Sequence, residues 1–552
     1  MPPLKRICKI TGHAFEVSEL EQQLRAKFEA PLPDIHPYER LRYLMQFRNV
    51  YTLYNDTCDL CGTKTLSVWG ESPNFPVYCR DCWYSDKWAP VEMDLDLERP
   101  FFEQHAELIA RSPHPARIIA GNMENSAFCN SCSNLKSCYM TFNATGDEDC
   151  YYATGIINSQ KCVDTVSAVK GEIQYQTVAC HQSYKVFWSE YASNCRDCWF
   201  VYDCIDCSDC AFSTGLRHKQ YVFENCQLTR EQYEAKMQEL RTGSYAALQK
   251  YLAQYAEMKR AYPKRYIIGL RNENASGNWL VNSKNIVDSY DLIDCEDSVN
   301  VFNVWQAKDC LDVVSMGKDQ LELAFSCTSV GLGSTNIRFS SNCYENCFNL
   351  EYCSFVQSSS HDCFGSAFAR KLEYTILNKR YSKEDYAAKV AALRQKMQER
   401  GEYGQVFPQA LVPFAYNESI AQLYMPLTRE EAEARGFRWV EKKAPSVPAE
   451  SVFTPPDDIA DVEWTDVDGK FLLCAESGRP FRLVKPEFEF YKQYAIALPR
   501  LHPDVRLVKR FPTGLMFNLH EAACVQCGRQ LQTSMEAGDK VLCEECYQKA
   551  VV

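Results

Sequence analysis

The chain has no apolar run approaching the roughly 18 residues that a membrane-crossing helix needs. Its opening residues, Met-Pro-Pro-Leu-Lys-Arg-Ile-Cys, lack the apolar segment of a secretion signal. Only nine His serve as possible bases in 552 residues, and nothing matches a phosphate loop, a nucleophile elbow or an HExxH site. Lys and Arg number 60 against 72 Asp and Glu, so the chain as a whole repels a nucleic-acid backbone. These absences predict a soluble cytoplasmic protein without a familiar catalytic motif and without a membrane partner.

Cysteine, by contrast, is abundant, at 29 residues. In a reducing compartment thiols stay free, so closely spaced Cys are expected as metal ligands or small core residues. Their number is odd, which also argues against complete pairing.

The cysteines follow a duplicated plan, and self-similarity on this scale decides architecture before any local reading. Cys8, Gly12, Phe15, His36, Pro37, Arg40, Cys58 and Cys61 recur 466 positions later as Cys474, Gly478, Phe481, His502, Pro503, Arg506, Cys524 and Cys527. Between these outer copies, Glu148, Cys162, Asp164, Asn194 and Cys195 recur 148 positions later as Glu296, Cys310, Asp312, Asn342 and Cys343. The chain therefore reads A-B-B-A. The net charge of −12 lies in the middle, because the first module is balanced and the last slightly basic. Arg479, Arg482, Lys485, Arg500, Arg506, Lys509 and Arg510 could give that last module a local basic face.

In the outer modules, Cys58-Asp-Leu-Cys61-Gly62 is followed by Cys79-Arg-Asp-Cys82, and Cys524-Val-Gln-Cys527-Gly528 by Cys543-Glu-Glu-Cys546. Two residues between ligands let one tight turn aim both sulfurs at one ion, and two such pairs complete a tetrahedral thiolate site. The spacing predicts two structural Zn2+ sites, with short strands at 65–69 and 530–534 between the pairs. Cys8 with His36, and Cys474 with His502, could belong to further metal sites. Further shared ligands are missing, so ligand counting favours a packed thiol beside a turn residue before Pro. Ser18 and Glu21 have capping-box spacing at the head of a helix of about ten residues.

In the inner blocks, short β-prone runs alternate with Asn, Asp, Ser and Gly, and 12 of the 19 cysteines directly follow Asp or Asn. That dipeptide is a corner signal: Asx tolerates the turn while the next small side chain points inward. The steps from Cys162 to Cys180 to Cys198, and from Cys310 to Cys327 to Cys343, suggest one circuit each of a parallel β-solenoid with thiols stacked inside. Cys204-Ile-Asp-Cys207-Ser-Asp-Cys210 has part of an iron–sulfur ligand run but lacks its fourth Cys-Pro. Thr229 with Gln232 and Ser382 with Asp385 start helices that run to about 260 and 400.

At Cys79-Arg-Asp-Cys-Trp-Tyr-Ser-Asp-Lys-Trp88, Arg99-Pro-Phe-Phe-Glu-Gln104 and Tyr381-Ser-Lys-Glu-Asp-Tyr386, the chain resembles an uncharacterised family of bacterial proteins. That resemblance implies zinc-ribbon-like ends and a Cys-rich repeat centre, and it implies no activity.

The fold expected is mainly β with helices, a duplicated parallel β-solenoid centre flanked by two homologous zinc-ribbon modules. The ribbon modules occupy 1–90 and 466–552, with a helical connector over 91–121. Two Cys-rich blocks with closing helices occupy 122–260 and 261–400, followed by a linker over 401–465. The leading functional reading is a zinc-binding, non-enzymatic binding or scaffold protein with an acidic repeat surface and a protein partner. One alternative is a redox or acyl-transfer enzyme using the solenoid. Another is nucleic-acid binding through the ribbons, by residues 470–552.

Overall fold

The computed structural model describes residues 2–70, 73–441, 445–511, 517 and 519–551. Ala444, at the head of the Pro-rich stretch of the expected linker, lies outside them. The chain is mainly strands with helices, and its two large sheets are almost wholly parallel.

The chain divides into two compact units, and each takes one terminal module together with the central block farther from it in sequence. Unit 1 joins Met1–Arg117 with Ile267–Val440 and Thr513–His520; unit 2 joins Ile118–Tyr266 with Glu441–Pro512 and Glu521–Val552.

In unit 2 the strands between Ile119 and Gln227 form one sheet, and from Met123 to Phe223 its parallel register pairs each residue with the one twelve positions on. Gln160 faces Glu172, Glu172 faces Tyr184, Tyr184 faces Arg196, Arg196 faces Ser208 and Ser208 faces Gln220. The expected longer step, that from Cys162 to Cys180, is therefore not the spacing of this ladder. In unit 1 the step is also 12 at Lys284 to Glu296 and lengthens to 13 at Thr335 to Phe348.

The twelve-residue step has a local cause. From Asn125 to Glu224 a residue with φ near +50° recurs at every third position, as at Asp197, Phe200, Asp203, Asp206, Asp209 and Phe212. Each left-handed residue bends the chain after a short straight run, at a cost of roughly 1–2 kcal/mol for a side chain other than Gly. The ladder offsets this cost: the amides of Lys161 and Asp164, both left-handed, donate to the Glu148 and Tyr151 carbonyls, each at 3.0 Å.

All twelve Asp or Asn residues that precede a central cysteine are left-handed, so the dipeptide is the corner signal it was read as. The cysteine that follows is buried in every case but Cys226. Cys150, Cys195 and Cys363 donate their thiols to the carbonyls of Glu148, Ser193 and His361, two residues back, at 3.2–3.4 Å. Ser159 and Ser183 make the same bond to Ile157 and His181. A small side chain with one donor satisfies a carbonyl inside the bend, which explains why Cys and Ser interchange there.

Helices begin where the caps predict. Thr229 and Gln232 form a complete capping box, and Ser382 accepts from the Asp385 amide at 3.1 Å. The helical span after block 1 is broken in two, Arg230–Leu240 and Tyr245–Ala261; after block 2 it is one helix, Lys383–Glu399.

The terminal modules are built alike. In unit 1, β1 (Leu4–Ile7) and β2 (Ala14–Val17) form an antiparallel hairpin, followed by α1 (Glu19–Lys27) and α2 (Pro37–Met45). Ser18 caps α1 through the Glu21 amide at 3.1 Å, but the Glu21 carboxylate turns to Arg25 and Arg40, at 2.9 and 2.7 Å. Those two arginines also hold Asp312 of the sheet, at 3.4 and 3.2 Å. Unit 2 repeats the joint: Arg506 reaches Asp164 and Glu487, while Arg510 lies 3.0 Å from Asp164.

The span 401–465 is more than a spacer. It carries the helices Ile420–Tyr424 and Arg429–Ala434 and buries Phe414, Tyr416, Ile459 and Val462. The boundary between the units falls within it, after Val440.

Candidate metal centres

The first centre is assembled from two turns in unit 1. An antiparallel hairpin, β3 (Tyr54–Thr57) with β4 (Lys64–Ser67), ends in a tight turn. There the Cys58 amide donates to Thr63 at 2.9 Å and the Gly62 amide to Cys58 at 2.8 Å. Gly62 sits at φ +72°, where a Cβ would be strained. The second pair follows β5 (Val77–Tyr78) and opens the short helix α3 (Arg80–Trp83), with Cys79 as its cap. The Cys79 amide donates to the Cys58 sulfur at 3.2 Å, and the Asp59 amide to the Val77 carbonyl at 3.0 Å, which locks one turn against the other.

The four sulfurs of Cys58, Cys61, Cys79 and Cys82 lie within 4.8 Å of one another and could hold a metal ion. Cys524, Cys527, Cys543 and Cys546 form the equivalent group in unit 2. There the Cys524 amide donates to Arg529 and the Gly528 amide to Cys524, both at 2.9 Å. Across the pairs, Cys61 and Cys79 sulfurs approach to 3.8 Å and those of Cys527 and Cys543 to 3.6 Å.

Four sulfurs held this close share protons unevenly. The Thr63 side chain and amide, then Cys82 and Cys58, bring Cys61 down to about 6, whereas burial raises Cys82 well above the usual thiol range. In the second group burial pushes Cys524 up, but hydrogen bonds from the Cys543, Cys527 and Gln526 backbone outweigh it and leave the thiol at about 6. Burial and the neighbouring sulfurs lift Cys546 to about 12. Each set thus offers one ready thiolate, and a cation would draw off the remaining protons.

Cys8 and His36 occupy the same kind of turn without the same ligands. The Cys8 amide donates to His13 and the Gly12 amide to Cys8, both at 2.8 Å, and the Lys9 amide reaches Asp34 at 2.9 Å. That matches the Cys58, Gly62 and Asp59 pattern bond for bond, with Thr11 where Cys61 stands and His36 where Cys79 stands. His36 instead caps α2, its Nδ1 accepting the Tyr38 amide at 3.1 Å, and His502 does the same for Asp504 at 3.1 Å. Among the described residues neither Cys8 nor Cys474 belongs to a group of three or more metal-type ligands. Each module therefore contains two ribbon-like pairs of turns, of which one pair keeps four cysteines. The signal was present in the sequence, since Cys8-Lys-Ile-Thr-Gly12 parallels Cys58-Asp-Leu-Cys-Gly62 farther along the same module.

The run Cys204, Cys207 and Cys210 is buried in the sheet interior, its thiols donating to the carbonyls of Tyr202, Ile205 and Ser208 at 3.2–3.6 Å. Among the described residues these sulfurs form no group close enough for one metal ion.

Five of the seven basic residues singled out in the last module face acids. Arg479 pairs with Asp504 at 2.8 Å, Lys509 with Glu476 at 2.6 Å and Lys485 with Glu489 at 3.8 Å, while Arg506 and Arg510 are buried on Asp164. Arg500 reaches the Pro455 and Pro456 carbonyls.

No protein-family model and no curated protein matches the chain.

Proposed function

We propose that the protein is a zinc-binding, non-enzymatic scaffold in which two metal-locked modules brace a pair of acidic β-solenoids. The observation that carries this is the pair of four-cysteine groups. Four thiolates complete a tetrahedral shell and leave no position for substrate, the hallmark of structural rather than catalytic zinc. Zinc is favoured over iron–sulfur because each group sits on two separate turns with ribbon spacing.

The solenoid reading rests on the twelve-residue register and on the bend at every third residue, which together divide each step into four short sides. The stacked corners present carboxylates and carboxamides outward: Asn282 donates to Asp294 at 2.5 Å, Asn285 to Asp297 at 2.9 Å and Asn349 to Asp362 at 3.0 Å. An acidic, regularly spaced surface of this kind suits a protein partner with a complementary basic face. The interior thiols, buried and hydrogen-bonded to carbonyls, favour a packing role over redox or acyl-transfer chemistry.

Elemental analysis of protein purified without added metal tests the reading. Two zinc ions per chain without iron support it; iron accompanied by acid-labile sulfide replaces it with a redox protein.

A further inference from the structure

Unit 1 contains a pocket of about 630 Å³, within the size range of small-molecule sites. None of its lining residues is a cysteine, so it has no part in the metal centres.

The floor of this pocket, Ser341, Asn342, Ser354 and Phe355, is buried, so contact with a ligand falls to the walls and the rim. The rim is open: Asn74, Ala110, Ala410, Pro413, Gly436 and Arg438 are all exposed. Between rim and floor, Phe75, Ala106, Ile109 and Leu411 are half-buried, each leaving apolar surface uncovered. Ala106 and Ala110 stand one turn apart on one face of α4 (Phe101–Arg111). Small side chains there leave a slot rather than a filled core.

The lining carries a single charge. It includes no carboxylate and no lysine, and burial brings the pKa of His114 down to about 3, so that imidazole is neutral. Arg438 stays charged at any ordinary pH. Its Nη2 donates to the carbonyl of Val412, itself a lining residue, at 2.7 Å, which fixes the guanidinium at the rim. Among the described residues that is its one side-chain hydrogen bond, and no carboxylate pairs with it. The arginines before it in sequence are already matched: Arg429 holds Glu433 at 2.8 Å and Arg435 holds Glu39 at 3.0 Å. Glu107, beside Ala106 on α4, lies 3.3 Å from Arg99 and 3.6 Å from Arg111.

We propose that this pocket binds a small organic monoanion, an apolar body carrying one carboxylate. The body fills the slot between α4 and Leu411 and takes its apolar walls out of water, while the carboxylate meets the free edge of Arg438 at the rim. A charge held at the rim keeps part of its hydration, which a charge carried to the floor would lose.

The test uses the full-length protein as purified and two probes of nearly equal shape, cinnamate and cinnamyl alcohol, the second without the charge. Binding is read by ligand-observed NMR titration. Cinnamate is expected to bind saturably and about fivefold or more tightly than the alcohol. Arg438→Gln weakens cinnamate to the level of the alcohol and leaves the alcohol unchanged. Ala110→Trp, on the exposed side of α4, closes the slot and abolishes binding of both. Both positions are exposed, and melting temperatures verify that each variant is folded. Absence of cinnamate binding, equal affinities in the unmodified protein, a preference that survives Arg438→Gln, or binding that survives Ala110→Trp each overturns the proposal. Zinc content, measured on the same samples, is unaffected by any of these results.

Discussion

Arg40 Nε lies 3.2 Å from Asp312 Oδ1, and Arg506, its counterpart 466 positions later, grips Asp164, the counterpart of Asp312. Glu21 and Glu487 complete the two joints at the same offset. These are the residues that persist between copies because a buried charge has few tolerable neighbours, and a change on one side of the joint strands the other. Burial draws each guanidinium toward deprotonation, but the facing carboxylates outweigh it and hold Arg40 and Arg506 above their ordinary range.

Arg40→Met is therefore expected to destabilise unit 1 by on the order of 3–5 kcal/mol, since it leaves Asp312 and Glu21 buried with Arg25 as the remaining cation. Arg506→Met should do the same to unit 2. Pairing Arg40→Met with Asp312→Leu should recover part of the loss. Urea denaturation of the three variants measures this, and a double variant no more stable than Arg40→Met would contradict the joint as described.

Cysteines that look alike in the repeat should separate by metal content. Cys58→Ser and Cys524→Ser should each lose one zinc equivalent per chain, whereas Cys8→Ser and Cys474→Ser should retain both. Elemental analysis of the four purified proteins distinguishes them.

Asp147 is a carboxyl inside the thiol-lined interior of unit 2. It is 1% exposed, accepts the Ser159 amide at 2.7 Å, and burial raises its pKa from 3.8 to about 7. The folded state binds this proton more tightly than the unfolded chain, so the carboxyl is best tolerated below pH 4. Stability falls as pH rises from about 4 to 7, by on the order of a few kcal/mol. Asp147→Asn should raise the melting temperature at pH 8 and have little effect at pH 4; a gain of the same size at both pH values would remove the carboxylate as its cause.

The left-handed bends carry a penalty that one substitution can relieve. Lys161 is exposed at φ 50°, so Lys161→Gly should stabilise the protein by about 1 kcal/mol, while Lys161→Val, β-branched in the same conformation, should destabilise it. Thermal melts of the two variants give the sign directly.

The cysteine pairs of the metal centres were plain in the sequence because ligand spacing is set by covalent geometry within one turn. The corners were legible for the same local reason: Asp or Asn before Cys marks the bend. The step between corners was misjudged because cysteines sample only some of them. Phe200 and Phe212 are equally left-handed, and no propensity scale places an aromatic residue there. Cys162 and Cys180 lie on different steps and different sides, so the interval between them is not a period. The pairing of each terminal module with the more distant block had no local signature at all; only the joint retention of Arg40 with Asp312 and of Arg506 with Asp164 pointed to it, and that requires knowing that the two sets touch.

The crossed assembly also sets a timetable for synthesis. When Arg117 leaves the ribosome, the sheet that receives the first module has not been made, and its last strand, Lys379–Arg380, emerges only after the whole intervening block. At roughly 5–20 residues per second, the docking face around Glu21 and Arg40 waits on the order of 10–50 s for its partner. Throughout that interval the group Cys58, Cys61, Cys79 and Cys82, which could hold a metal ion, is complete as soon as Cys82 has been added, and a bound ion would cross-link the nascent module before its partner exists.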